Sequence, residues 1–305
     1  MSDKMKILIA YDGSSCADAA LRELARAGLP DAADVTVLTA ADVILPISPP
    51  PIPAGGVAFS VQTPALAREW QERAFRAVDD AYSTAFQAAE TVRKKFPGWD
   101  VTPASEGDSP SWAIIKKAED TSADLIIVGS HGRSALGRFF LGSVSQRVLS
   151  EAPCSVRIAR NAAGSDGLPV RIIIGIDASP GSEAAVQSVA RRRWHAGSEA
   201  RFVAAIPTLM VPAIDMDEES YRDEKSFLQS TLDRLAEPLR QAGLSVSSLI
   251  KEGDPKRLLV EESENWKADS IFVGARGLRR IERFLIGSVS YSVAARAHCS
   301  VEVVR

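Results

Sequence analysis

The chain has 305 residues, a net charge of −3 and 46% hydrophobic residues. That length allows about two domains with ordinary packed cores, and the mild acidity argues against a nucleic-acid-binding surface, which usually carries a basic patch. Cys16, Cys154 and Cys299 lie far apart without metal-ligand spacing, as expected of reduced thiols in the cytoplasm. The opening segment MSDKMKILIAYDGSS holds no apolar run long enough for export or for spanning a membrane.

Lys6 to Tyr11 reads as a first strand, followed by an Asp12-Gly13-Ser14-Ser15 turn that holds a helix N-cap. The next helix reaches about Ala27, with Ala20, Leu21, Leu24 and Ala25 on one face and Gly28 as its C-terminal cap. Val35 to Ala41 is the second strand. The stretch 45–64 is too rich in Pro and Gly for a helix or a central strand; it is a loop or lid, or a polyproline ligand. From Ala65 to Phe96 the spacing becomes helical, with Leu66, Trp70, Ala74, Ala77, Ala81, Ala85, Ala88 and Val92 in one inward stripe. Trp99 to Ser105 is the third strand and Glu106-Gly107-Asp108 its turn. Ser109-Pro110 starts a helix with Ile114, Ile115 and Ala118 inward. A fourth strand follows from Ala123, then a helix from Ser143 to Ser150 and a last strand from Ser155 to Ala159.

After a linker at 161–169, the order recurs. Arg171 to Ile176 and Ala200 to Ile206 are strands. Ser179 and Pro180 occupy the N-cap and first position of a helix. A helix from Glu218 to Ala242 carries Tyr221, Leu228, Leu232, Leu235 and Leu239, with Pro238 expected to kink its last turn. Glu252-Gly253-Asp254 repeats the earlier turn, and Ser300 to Val304 closes the chain. Each half therefore alternates five strands with four helices, which builds a parallel sheet with helices on both faces. The expected domains are 1–160 and 170–305.

One stretch occurs twice. GSHGRSALGRFFLGSVS runs from Gly129 to Ser145, and GARGLRRIERFLIGSVS from Gly274 to Ser290. Each follows an apolar strand and ends at a helix start. Glycines admit close approach of a ligand, and the first helical N–H groups lack intrahelical partners, so the pattern reads as an anion site. The alternative is that the glycines only turn the chain and pack a helix on a sheet. In parallel sheets ligands sit beyond the carboxyl ends of the strands, where strand order reverses. That brings Asp12 and Asp177 to the same places as the glycine loops.

This pattern resembles the universal stress protein family in its tandem form. The resemblance implies two flavodoxin-like domains (adenine nucleotide alpha hydrolase-like), α/β, each a five-stranded parallel sheet of order 3-2-1-4-5. Nucleotide-binding members carry Gly-x2-Gly-x9-Gly-Ser/Thr, matched by both copies. The resemblance implies bound ATP with Mg²⁺ and regulation of a stress response. It implies adenine and ribose at Ala10, Tyr11, Asp12 and Ala40, and at Gly175, Ile176, Asp177 and Ala205. Phosphates are implied at Gly129, Gly132, Gly142, Ser143, Val144 and Ser145, and at Gly274, Gly277, Gly287, Ser288, Val289 and Ser290. It further implies pairing of the two domains through their final strands, with a further homodimer left open. There Arg157 and Glu302 are equivalent and would face each other as a cross-strand pair worth about 0.2–1 kcal/mol.

The chemistry suits these residue types. Ser143 and Ser145 offer N–H and hydroxyl donors, and Asp12 is either a ribose acceptor or a turn residue. Tyr11 either stacks on adenine or occludes it. Ser130-His131 in the first loop is Ala275-Arg276 in the second, so the two sites are expected to differ. No phosphate-loop Gly-x4-Gly-Lys, dinucleotide fingerprint or catalytic triad is present. No catalytic residue is therefore assigned, and slow ATP hydrolysis or autophosphorylation is the most activity expected. Cys16, near a helix start, reads as a core cysteine or a reactive thiol.

Overall fold

Short runs of Ile, Leu and Val form strands because both of their faces are covered by helices. In the first half these are β1 (Met5–Ala10), β2 (Ala33–Ala41), β3 (Asp100–Gly107), β4 (Leu125–Gly129) and β5 (Ser155–Ala159). The helices between them are α1 (Ser15–Glu23), α2 (Pro64–Lys95), α3 (Pro110–Thr121) and α4 (Ser143–Glu151). The second half repeats them as β6 (Arg171–Ile176), β7 (Glu199–Ile206), β8 (Ser245–Glu252), β9 (Ser270–Gly274) and β10 (Ser300–Val304). Its helices are α5 (Pro180–Ala190), α6 (Glu218–Gln241), α7 (Pro255–Asn265) and α8 (Ser288–Arg296). This computed structural model describes residues 4–43, 64–132, 141–160, 166–206, 218–277 and 286–305. Apart from Pro64, the proline-rich stretch 45–64 lies outside the described residues, as do the interiors of both glycine loops and the start of the linker. Among the described residues, no helix is long and apolar enough to cross a membrane.

Local signals set most helix starts. Ser14 accepts a hydrogen bond from the Ala17 N–H at 3.2 Å, and Ser179 accepts one from the Ser182 N–H at 3.2 Å with Pro180 behind it. α1 ends four residues before Ala27 and passes into a single 3-10 turn, Leu24–Arg26; Gly28 follows with φ of +66°. α6 continues through Pro238, and the Ala242 N–H closes its end on the Pro238 carbonyl at 3.1 Å.

In the stripe expected along α2, Ala74 and Ala77 are only half-buried and, among the described side chains, full burial begins at Ala81; the Leu66 side chain lies outside them. Ala81, Ala85, Ala88 and Val92 are buried, whereas Trp70 is 50% exposed. The reason is length. The 32 residues of α2 extend about 48 Å, while the nine residues of β2 extend about 30 Å. The amino-terminal turns of α2 therefore overhang the sheet.

Each half has the strand order 3-2-1-4-5, and the two halves form one ten-stranded sheet, β3-β2-β1-β4-β5-β10-β9-β6-β7-β8. β5 and β10 run antiparallel, with Ile158 opposite Val301, Arg157 opposite Glu302 and Val156 opposite Val303. Alternation along these strands divides the seam into two faces. Val156, Ile158, Val301 and Val303 lie in one apolar cluster that continues through both halves beneath α3, α4, α7 and α8. On the other face the apolar clusters of the two halves are separate.

Charge fills the gap between them. Arg157 and Glu302 are fully buried, so the cross-strand pair is no partly solvated contact. Arg157 Nε donates to both carboxylate oxygens of Glu23 at 3.1 Å, and its guanidinium also reaches Glu302 at 3.3 Å. Arg192 pairs with the other oxygen of Glu302 and donates to the Ala27 carbonyl at 2.8 Å. Both guanidinium groups lie near the Phe272 ring, 5.7 and 4.9 Å from its centroid. Burial works against the charge on Arg157, but Glu23 and Glu302 outweigh it and hold that charge firmly; Arg192, with one carboxylate and Arg157 beside it, is shifted downward by burial. Nearby, Arg26 pairs with Asp269 across the halves at 2.6 Å.

Glu302→Gln is expected to destabilise the chain by about 3–5 kcal/mol, because buried Arg192 loses its carboxylate and buried Arg157 keeps only Glu23. The paired reversal Arg157→Glu with Glu302→Arg restores opposite charges across the strands. It also sets a carboxylate against Glu23 and a guanidinium against Arg192, so it is expected to remain destabilised. Urea midpoints check both; full recovery in the reversal would mean that the cross-strand pair acts alone.

Candidate functional site

β1 lies between β2 and β4, and Ile9 pairs with Ile127, so the loops leaving β1 and β4 emerge side by side. Strand order reverses there, and the same holds for β6 and β9. In the first half, Asp12 accepts the Ser14 N–H at 2.9 Å in a tight turn. Its other oxygen faces the glycine loop, where a methyl group on Gly132 would stand 3.1 Å from it. In the second half, Asp177 accepts the Ser179 N–H at 3.1 Å and its hydroxyl at 2.5 Å. A methyl group on Gly277 would stand 2.5 Å from Asp177. Asp12 is thus both a turn residue and a carboxylate against the glycine loop.

The ends of each loop are drawn together. The Gly142 N–H donates to the Ser130 carbonyl at 2.9 Å, and the Gly287 N–H to the Ala275 carbonyl at 2.7 Å. Gly142 and Gly287 are the N-caps of α4 and α8, with extended backbone and no side chain to cap the first helical amides. Ser143 and Ser288 are exposed at these helix starts, with Val144 and Val289 half-buried behind them. The amides of Ser143, Val144 and Ser145, and of Ser288, Val289 and Ser290, follow a glycine N-cap and have no capping side chain.

The hydroxyls divide differently from the expectation. Ser145 is buried and donates to the Gly129 carbonyl at 2.7 Å; Ser290 donates to the Gly274 carbonyl at 2.6 Å. Both pin the helix to the strand end, so a hydroxyl donor for an anion remains at Ser143 and Ser288. Gly129 and Gly274 also have a packing role. A methyl group on Gly129 would stand 3.1 Å from the backbone of Cys16, and one on Gly274 would overlap the backbone of Gly181.

At the ends of the neighbouring strands, Ala10 and Ile176 are buried, while Ala40, Gly175 and Ala205 are half-buried. The Tyr11 hydroxyl donates to Asp18 at 2.6 Å, and its ring packs against the first-half core, so the ring is drawn toward α1. His131 Nδ1 lies 3.0 Å from the Ser130 hydroxyl. Burial, then the charge of Arg160, hold its pKa below the usual range, which leaves the imidazole neutral near pH 7. Two features escape sequence reasoning. Gly181 stands where the first half has Cys16, and Ala178, with φ of 59°, stands where the first half has Gly13. Aligning the two halves residue by residue exposes both. Among the described residues, no cluster of three or more potential metal ligands occurs.

Gly274→Ala is expected to destabilise the fold by about 1–3 kcal/mol or more, because backbone on both sides must move. Gly129→Ala, with its looser contact, is expected to cost less; thermal unfolding of the two variants checks the order. A second expectation concerns the thiols. Burial pushes Cys154 up to about 12 and Cys299 up to about 11, and nearby Arg305 and Arg160 only partly offset it. Both folded values lie above the ordinary 9.0, so this stability is complete below pH 9 and is lost as pH rises toward 11–12. Urea midpoints should fall more steeply above pH 9 in the natural chain than in a Cys154→Ala, Cys299→Ala variant.

The sequence profile of the universal stress protein family matches residues 5–160 and again residues 170–305. A universal stress protein of Mycolicibacterium smegmatis is 29% identical over 305 residues, 98% of this chain and 96% of that protein. One from Mycobacterium tuberculosis is 31% identical over 189 residues; the match spans 60% of this chain and only 62% of that relative's length. The crystal structure of a universal stress protein from Archaeoglobus fulgidus has the same fold, with a TM-score of 0.62, 21% identity and coverage of 98% of this chain and 96% of that one. With both halves matched, the chain belongs to the universal stress protein family and carries two of its domains in tandem.

Proposed function

We propose that each half binds one ATP with Mg²⁺ and that the chain acts as a nucleotide-dependent regulator in a cytoplasmic stress response. The observation that carries this reading is the apposition, in both halves, of an aspartate and a glycine loop before a helix that has glycine as its N-cap. Gly142, where a side chain would meet only ordinary contacts, leaves space beside first-turn amides, which suits phosphate; Gly287 holds the equivalent place in the second half, and Gly132 and Gly277 let the loops approach Asp12 and Asp177. Asp12 and Asp177 stand beside those loops as acceptors for ribose hydroxyls. Ala10, Tyr11 and Ala40, with Gly175, Ile176 and Ala205, would border adenine. When bound, Mg²⁺ would offset phosphate charge that no phosphate-loop lysine meets.

The structural reading of the glycines holds for Gly129 and Gly274, whose missing side chains make room for α1 and α5. It does not account for Gly142, where a methyl group would make only ordinary contacts, the nearest at 3.5 Å. Nucleotide released from purified protein and identified by mass spectrometry separates an ATP-binding protein from a nucleotide-free interaction scaffold. Turnover after stripping tests for slow hydrolysis or autophosphorylation.

Gly142→Glu and Gly287→Glu are each expected to abolish binding in their own half without unfolding the chain, because a carboxylate would stand where phosphate charge belongs. Calorimetric titration should register one lost site per substitution and two in the double variant, and chelation of Mg²⁺ should weaken the rest. Unchanged affinity in the double variant would sink the assignment.

A further inference from the structure

Each half ends in an arginine that reaches into the other. Arg160 follows β5: its N–H donates to Ser300 Oγ at 3.0 Å, and its guanidinium donates to the carbonyls of Ala294 at 2.5 Å and Cys299 at 3.3 Å. Arg305 follows β10 and reverses the arrangement. Its N–H donates to Ser155 Oγ at 3.2 Å, and its guanidinium to the carbonyls of Leu149 at 2.8 Å and Ser150 at 3.3 Å. Leu149 and Ala294 are equivalent positions near the ends of α4 and α8. Each arginine therefore supplies a cation to the C-terminal end of the helix whose N-terminus borders the other half's glycine loop.

The same arginines stand close to their own loops. Ala159, which precedes Arg160, pairs with Gly129 at the start of the first loop; Val304, which precedes Arg305, pairs with Gly274, and its carbonyl accepts the Ala275 N–H at 2.7 Å. The contacts form a closed ring. The first loop leads through Arg160 to α8 and the second loop, and the second loop leads through Arg305 to α4 and the first.

We propose that Arg160 and Arg305 couple the two sites, so that an anion bound at one glycine loop strengthens binding at the other. The inference rests on the nucleotide reading above. Its sense follows from order along the strand ends. An anion that orders the start of the second loop also fixes Val304, whose carbonyl accepts the Ala275 N–H, and so holds the next residue, Arg305, on the last turn of α4; Gly129, Ala159 and Arg160 act in the same way on α8. α4 has nine residues, a rod of about 13 Å. Fixing its far end orders the amides after Gly142, and a ligand arriving there loses less conformational freedom of the site. Linkage makes the effect reciprocal.

The test measures Mg-ATP binding to the full chain with one site disabled. In a Gly287→Glu background, where the first site alone binds, adding Arg305→Met should weaken affinity by about fivefold or more. In a Gly142→Glu background, Arg160→Met should weaken the second site similarly. Arg160→Met with the first site, and Arg305→Met with the second, should change affinity much less. Effects confined to an arginine's own half would overturn the proposal. A second measurement leaves the arginines in place: in the Gly142→Glu chain, saturating the second site should slow amide exchange across residues 147–152, and unchanged exchange would also overturn it. Absence of Mg-ATP binding by the unaltered chain defeats both readings, whereas binding without the crossed effect defeats this one alone.

Discussion

A guanidinium group buried in the middle of a ten-stranded sheet is the constraint on which the molecule turns. Removing an arginine and its carboxylate partners from water costs several kcal/mol per ion, returned only when geometry is good and every polar atom is met. Arg157 has Glu23 on one side, Glu302 on the other and Phe272 nearby. This places a strict condition on how the halves meet. Sliding β10 along β5 by one residue would set Arg157 opposite a valine and leave Glu302 to Arg192 alone. Continuous apolar packing on the opposite face supplies the driving force for the halves to meet, and the charged cluster fixes where.

Positions related by the internal repeat are not chemically alike across this seam. Arg157 has Glu302 as its counterpart, Glu23 has Ser188, and Arg192 has Ala27. The divergence extends to the glycine loops. His131 is neutral where the second half has Arg276, and Gly181 lets α5 approach β9 more closely than Cys16 lets α1 approach β4. The two glycine-loop regions share backbone design and differ in charge and tightness, so one architecture presents two chemical environments.

Much of this was legible in the chain before any coordinates. Apolar runs and the Ser179-Pro180 start are local signals, and each appears where its chemistry predicts; the glycine copies each lie between a strand end and a helix start. Alternation in SVRIA and SVEVV places Arg157 and Glu302 on one face of their strands. Their burial was not legible, because it depends on Glu23, which lies 134 positions from Arg157. The overhang of α2 was hidden for a related reason: helical periodicity reports a face and says nothing about where the sheet beneath it stops. The buried hydroxyl of Ser145 looked like a ligand donor because its acceptor, the Gly129 carbonyl, is a backbone atom that any residue would provide.

Joining the two sheets at β5 and β10 also determines how the molecule meets its neighbours in a crowded solution. Two separate five-stranded sheets would expose four open margins, each a template for unwanted strand addition. Among the described residues the joined sheet leaves two, β3 and β8, at its opposite ends. β3 carries Pro103 in its middle, a residue without an N–H to offer an incoming strand. β8 carries Ser245, Ser247, Ser248, Lys251 and Glu252 as its exposed residues, a margin too polar for an apolar strand to settle on. The buried seam thus serves colloidal behaviour as well as architecture: the two most apolar margins are sealed against each other, and those left open are poor nuclei for fibrils.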